Sequence, residues 1–146
     1  MLRGNALAKV DEKGRLKLPA TFRSVIEPTH GTEFFVTSLR GESVRVYPMP
    51  VYAALEEQLM GSSAVKPAVM KLRTNLNYFG QAASMDPQGR ILIHPLLRER
   101  AAIDGEVAVL GQQNFLEVWN RAQFEERLGR DPLSDDDLLE LASMGF

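Results

Sequence analysis

Two short runs hold the residues best suited to chemistry: Asp11, Gly14 and Arg15 in "DEKGRLKLPATFR", and Asp86, Gly89 and Arg90 in "DPQGRILIHPLLR", 75 residues further along. A guanidinium presents a planar fork of donors that suits a phosphate or a guanine edge. Directly after a turn glycine, it projects from a tip that can approach a duplex closely. The same spacing also suits a plainer arrangement, in which the Arg pairs with the Asp four residues back and stiffens the turn. In a binding role the Asp is the turn former and Arg orienter, not the group that touches nucleic acid. Around the first run, Lys9, Lys13, Arg15 and Lys17 stand against Asp11 and Glu12, whereas residues 84–94 balance Arg90 against Asp86. The first tip is therefore expected to supply most of the phosphate affinity, because affinity follows the number of phosphates neutralised.

Other candidates read as ordinary structure. His30 and His94 are the only histidines and fall in different halves, as loop or strand-end residues, so no metal site is expected. No Ser, His and acid grouping suggests a nucleophile, and "RGESVRV" and "GQQNFLEV" lack the strand and helix context of a phosphate-cradling loop. Asp135, Asp136 and Asp137 suit the first turn of a helix, where acids oppose the positive end of the macrodipole. Tyr47 and Trp119 occupy corresponding strand ends and suit core or subunit contacts.

The chain has 146 residues, 45% apolar and 25% charged, with no cysteine. That composition is globular, excludes a disulfide scaffold and Cys-ligated zinc, and suits a reducing cytosol. No window approaches a membrane span or a signal-peptide core. The net charge of -2 speaks against a polyanion partner, but residues 120–146 hold three arginines against seven acids, which leaves residues 1–119 at +2.

The elements that must position these residues repeat as well. Asp first and Gly fourth is the preference pattern of a type I turn, so both quartets read as hairpin tips. Leu16 and Leu18 alternate with Arg15 and Lys17 along the strand after the first tip, and Ile91 and Ile93 match the leucines after the second, where Arg90 shares its face with Leu92. Pro19 and Pro95 each suit the first turn of a short helix ending near Ile26 or Ile103, and Arg23 and Arg98 align. "GTEFFVTSLRGESVRVY" and "GEVAVLGQQNFLEVW" read as further hairpins. Helices are expected after Pro50, over residues 68–79, after an Asn120 and Gln123 capping box, and after Ser134, with a break over residues 61–67. Two motif copies of about 45 residues each bury too little alone, so they must share a core.

With both turns in place, the chain resembles the MraZ family of bacterial transcription regulators, built from two AbrB-like (SpoVT-AbrB) units. The likeness runs through the "RGN" start, the two D-x-x-G-R runs followed by "LKLP" and "ILIHP", and the "GQQNFLEVW" close. His94 departs from the small residue or proline more usual there. The resemblance implies a mainly β swapped-hairpin barrel with short helices, as repeats over 1–53 and 82–125, a helical connector over 54–81 and an acidic helical tail over 126–146. It also implies a ring of subunits and DNA binding by the face that carries Asp11 with Arg15 and Asp86 with Arg90; the cation balance of the first tip adds Lys13 as the next contact and Lys9 and Lys17 as supporting phosphate contacts. Gly14, Gly89, Asp11 and Asp86 form and orient the turns. The expected role is a cytoplasmic, nucleoid-associated repressor of the division and cell-wall gene cluster and of its own gene. No catalysis, cofactor, small-molecule substrate or membrane partner is expected. The alternative is an antitoxin-like protein-binding module.

Overall fold

The computed structural model describes residues 1–61 and 64–146. Eight strands form one antiparallel sheet. In chain order they are β1 (Asn5–Val10), β2 (Arg15–Lys17), β3 (Glu33–Thr37), β4 (Val44–Pro48), β5 (Gln81–Ser84), β6 (Arg90–Leu92), β7 (Gly105–Gly111) and β8 (Leu116–Asn120). Across the sheet the order is β5-β3-β4-β8-β7-β1-β2-β6, so the strands of the two halves interleave. β1 lies along β7 from Asn5↔Leu110 to Val10↔Gly105, β5 lies on β3, and β4 lies on β8. The two edge strands, β5 and β6, are consecutive in the chain and joined by the second turn, which nearly closes the sheet into a barrel.

The reason for interleaving is burial. Leu16 and Leu18 from one half and Ile91 and Ile93 from the other are at most 1% exposed, in one cluster with Phe34, Val44, Val109 and Leu116. Neither half holds enough of these side chains to exclude water alone. The first turn is the tip of a hairpin with a single register pair, Val10↔Leu16. Around the second, β5 and β6 form no ladder with each other and turn to β3 and β2 instead.

Among the described residues six helices lie outside the barrel: α1 (Ala20–His30), α2 (Met49–Leu59), α3 (Pro67–Phe79), α4 (Pro95–Arg100), α5 (Arg121–Arg130) and α6 (Asp135–Ala142). The two corresponding helices end elsewhere than the sequence suggests. α1 runs past Ile26 until Gly31, whose φ of 81° stops it while its N–H bonds Glu27 at 3.0 Å. α4 stops before Ile103, because Ala102 adopts φ 53° and the Ile103 N–H returns to the Arg98 carbonyl at 2.9 Å. Pro95 opens α4, whereas Pro19 sits one position earlier, as the N-cap of α1.

At α5 only half the expected box forms. Asn120 Oδ1 accepts from the Gln123 N–H at 3.0 Å, and its amide donates to the Ala102 carbonyl at 2.9 Å. The reciprocal box appears at α6, between Ser134 and Asp137. Within the expected break over 61–67, residues 62 and 63 lie outside the described residues. The connector α3 is tied to the sheet by Thr37, buried in β3, whose Oγ1 donates to the Leu76 carbonyl at 2.7 Å. No described helix is long and apolar enough to cross a membrane.

Candidate nucleic-acid interface

The two Asp-Gly-Arg turns have the same local geometry. In the first, the Asp11 N–H donates to the Arg15 carbonyl at 3.0 Å and the Gly14 N–H donates to the Asp11 carbonyl at 2.9 Å. In the second, the corresponding bonds from Asp86 and Gly89 are both 2.9 Å. Gly14 and Gly89 take φ of 82° and 79°. This is a three-residue loop with a left-handed final position, which favours glycine.

The aspartates knit each loop from inside. Asp11 Oδ1 accepts the N–H groups of Lys13 and Arg15, and Oδ2 accepts Arg15 Nε at 2.7 Å. Asp86 does the same with Gln88, Arg90 and Arg90 Nε, the last at 2.8 Å. Those bonds, the backbone N–H of Arg15 or Arg90 first among them, hold both carboxyls below the ordinary aspartate range. Each aspartate engages only the Nε edge of its arginine. The terminal nitrogens take no other hydrogen-bond partner among the described residues, and the side chains remain 33% and 25% exposed. Turn stiffening and an outward-facing cation therefore coexist in one residue.

The pairing of β2 with β6 brings the two arginines onto one surface. The register sets Arg15 opposite Leu92 and Lys17 opposite Arg90, with Leu16 and Ile91 turned into the core between them. The antiparallel direction puts the two turns at opposite ends of this two-strand ribbon. Lys17, which belongs to the first copy along the chain, thus stands beside the Arg of the second. The two cations face each other across the strand pair, and Asp86 pairs with the Nε edge of Arg90 at 2.8 Å. Lys13, at the tip of the first turn, and Lys9, on β1, are exposed.

Two further arginines belong to the site. A Cβ built on Gly14 would lie 2.5 Å from Arg98 Cζ and 2.8 Å from Cδ, and one on Gly89 would lie 2.7 Å and 2.8 Å from the same atoms of Arg23. Each turn is therefore floored by a guanidinium from the helix of the other half. Reciprocal backbone bonds accompany the crossing: Leu18 N–H to the Gly89 carbonyl and Ile93 N–H to the Gly14 carbonyl, both 2.9 Å. The Nε atoms of Arg23 and Arg98 are buried without a hydrogen-bond partner. The alignment of these residues in the sequence was the available signal, but nothing in it said that each would cross to the opposite turn.

His94, four residues before Arg98, has both ring nitrogens buried without a hydrogen-bond partner. Burial holds its pKa below the usual histidine value and the charge of Arg98 adds to this, against an opposing pull from the Phe79 backbone. Among the described residues, no three acidic or histidine side chains gather as a metal site would need. Tyr47 and Trp119 are buried at 4% and 9% exposure, Tyr47 stacked on Phe115 and Trp119 against Phe124. Asp135, Asp136 and Asp137 open α6, as acids at a helix start.

A protein-family model described as "MraZ protein, putative antitoxin-like" matches residues 80–137. Over its full length the chain is similar to proteins named Transcriptional regulator MraZ. It is 41% identical to that of Acidobacterium capsulatum over 146 residues, covering 100% of both chains. It is 40% identical to that of Koribacter versatilis over 147 residues, again covering 100% of both. Identity to that of Thiobacillus denitrificans is 32%, over 89% of this chain and 88% of the relative.

Proposed function

The chain belongs to the MraZ family, and on that premise we propose that this transcriptional regulator grips double-stranded DNA with the outward face of the β2–β6 ribbon. Arg15 and Arg90 are the primary contacts, Lys13 follows, and Lys9 and Lys17 hold phosphates. Asp11, Asp86, Gly14 and Gly89 shape the turns. The observation that carries this reading is the register Lys17↔Arg90 and Arg15↔Leu92, which gathers cations from both halves on one exposed ribbon. A two-stranded ribbon of this kind fits the major groove.

One subunit offers few cations, so its affinity alone is weak. We read the functional form as a ring, in which a second ribbon meets its site at high effective concentration once the first is bound. Subunits facing the same way favour short direct repeats about 10 bp apart. The family resemblance supports repression of the division and cell-wall cluster and of the protein's own promoter.

The test is electrophoretic mobility on the protein's own upstream DNA, comparing the parent with the Arg15→Ala, Arg90→Ala double variant. A salt-sensitive shift that disappears in the variant and weakens when the repeats are moved by half a helical turn is expected. Undiminished binding by a folded double variant overturns the reading. No parent shift at low salt leaves the antitoxin-like module.

A further inference from the structure

The C-terminal helix, α6, buries none of its residues in its own subunit. Leu133, Leu138 and Leu139 are 66%, 48% and 74% exposed. Residues 131–146 hold five acids and no base. An amphipathic acidic helix that leaves its leucines in water is an interaction surface awaiting a cover.

The complementary surface lies elsewhere on the barrel. A groove of about 520 Å³ between the β3–β4 loop, α4 and α5 is lined by Arg40, Arg100, Arg127 and Arg130 against only Glu42 and Glu126. Glu42 serves two of these, Arg127 at 2.7 Å and Arg40 at 3.6 Å. Arg100 has no carboxylate within ion-pair distance among the described residues and lies over the Phe79 ring at 5.7 Å. The methylene stems of these arginines, with Trp119 at the groove floor, can cover leucines while the charged heads meet acids.

We propose that α6 of one subunit docks in the arginine groove of a second copy of this chain. Each copy carries one tail and one groove, so the contact is head to tail, and repetition closes a ring when the rotation permits. The inference rests on the ring reading above and names the surfaces that build it.

A charge swap on the full chain tests it. One variant reverses the tail (Asp135→Lys, Asp136→Lys, Glu140→Lys) and spares Asp137, which closes the capping box. The other reverses the groove (Arg40→Glu, Arg100→Glu, Arg130→Glu) at exposed positions. By native mass measurement, with circular dichroism to confirm folding, each variant alone should fall to single-chain mass. An equimolar mixture, in which each tail again meets an opposite groove, should return to the parent multiple. Parent-like mass in both variants overturns the contact and leaves the ring standing. A single-chain parent overturns both. Dissociation that mixing fails to repair overturns the contact, and so does a groove variant that keeps its mass but loses the DNA shift, since the groove is then a phosphate surface.

Discussion

Replacing Gly14 with alanine separates two costs that the first turn imposes. A left-handed alanine pays about 1–2 kcal/mol in backbone strain. At φ 82° Gly14 incurs this, but its new methyl also enters the space held by the Arg98 guanidinium. Moving that side chain out of its rotamer adds about 0.5–1.5 kcal/mol, so Gly14→Ala should cost about 1.5–3.5 kcal/mol in all. Gly4 and Gly105 supply the control. Their φ values are 80° and 68° and a Cβ there meets nothing within 4 Å, so each should pay the strain alone. Urea unfolding at fixed protein concentration measures all three, with an unchanged slope confirming that only stability has moved. In an Arg98→Ala background the excess at Gly14 should vanish, a coupling of about 1 kcal/mol in the double-mutant cycle. If Gly14→Ala costs no more than Gly4→Ala and shows no coupling to Arg98, then the guanidinium does not floor the turn and the cross-half clamp is wrong.

Thr37→Val keeps the shape of a fully buried side chain but strips the Leu76 carbonyl of its donor, and should lower stability by about 1–3 kcal/mol in the same urea assay. His94, held by burial below its ordinary value of 6.5, takes its proton at a lower pH in the folded chain than in the unfolded one. Stability should therefore fall as pH drops through about 6.5, and a His94→Leu variant followed between pH 7.5 and 5.5 should lose part of that slope; parallel curves for the two proteins would refute it. Lys17→Ala should flatten the dependence of DNA affinity on salt by about one unit. If Lys17 acts with Arg90, as the strand register places it, its effect should shrink in an Arg90→Ala background and persist in a Lys13→Ala background.

The local chemistry of this protein could be read from its order of residues. Asp and Gly three apart favour one turn type, and apolar residues two apart along Leu16, Leu18, Ile91 and Ile93 mark strand faces, because both depend on contacts within a few residues. The acids at 135–137 placed a helix start for the same reason. What only the tertiary structure decided is which strand lies beside which. Sheet pairing joins residues far apart in the chain, and the choice is made by burial of a shared core that neither half completes. That choice put Lys17 next to Arg90, sent Arg23 and Arg98 across to the opposite turns, and left β5 and β6 as facing edges. Helix ends followed the same division. α1 and α4 stop where Gly31 and Ala102 adopt positive φ, and at Ala102, an alanine, nothing in local preference announces that conformation, which the surrounding packing imposes.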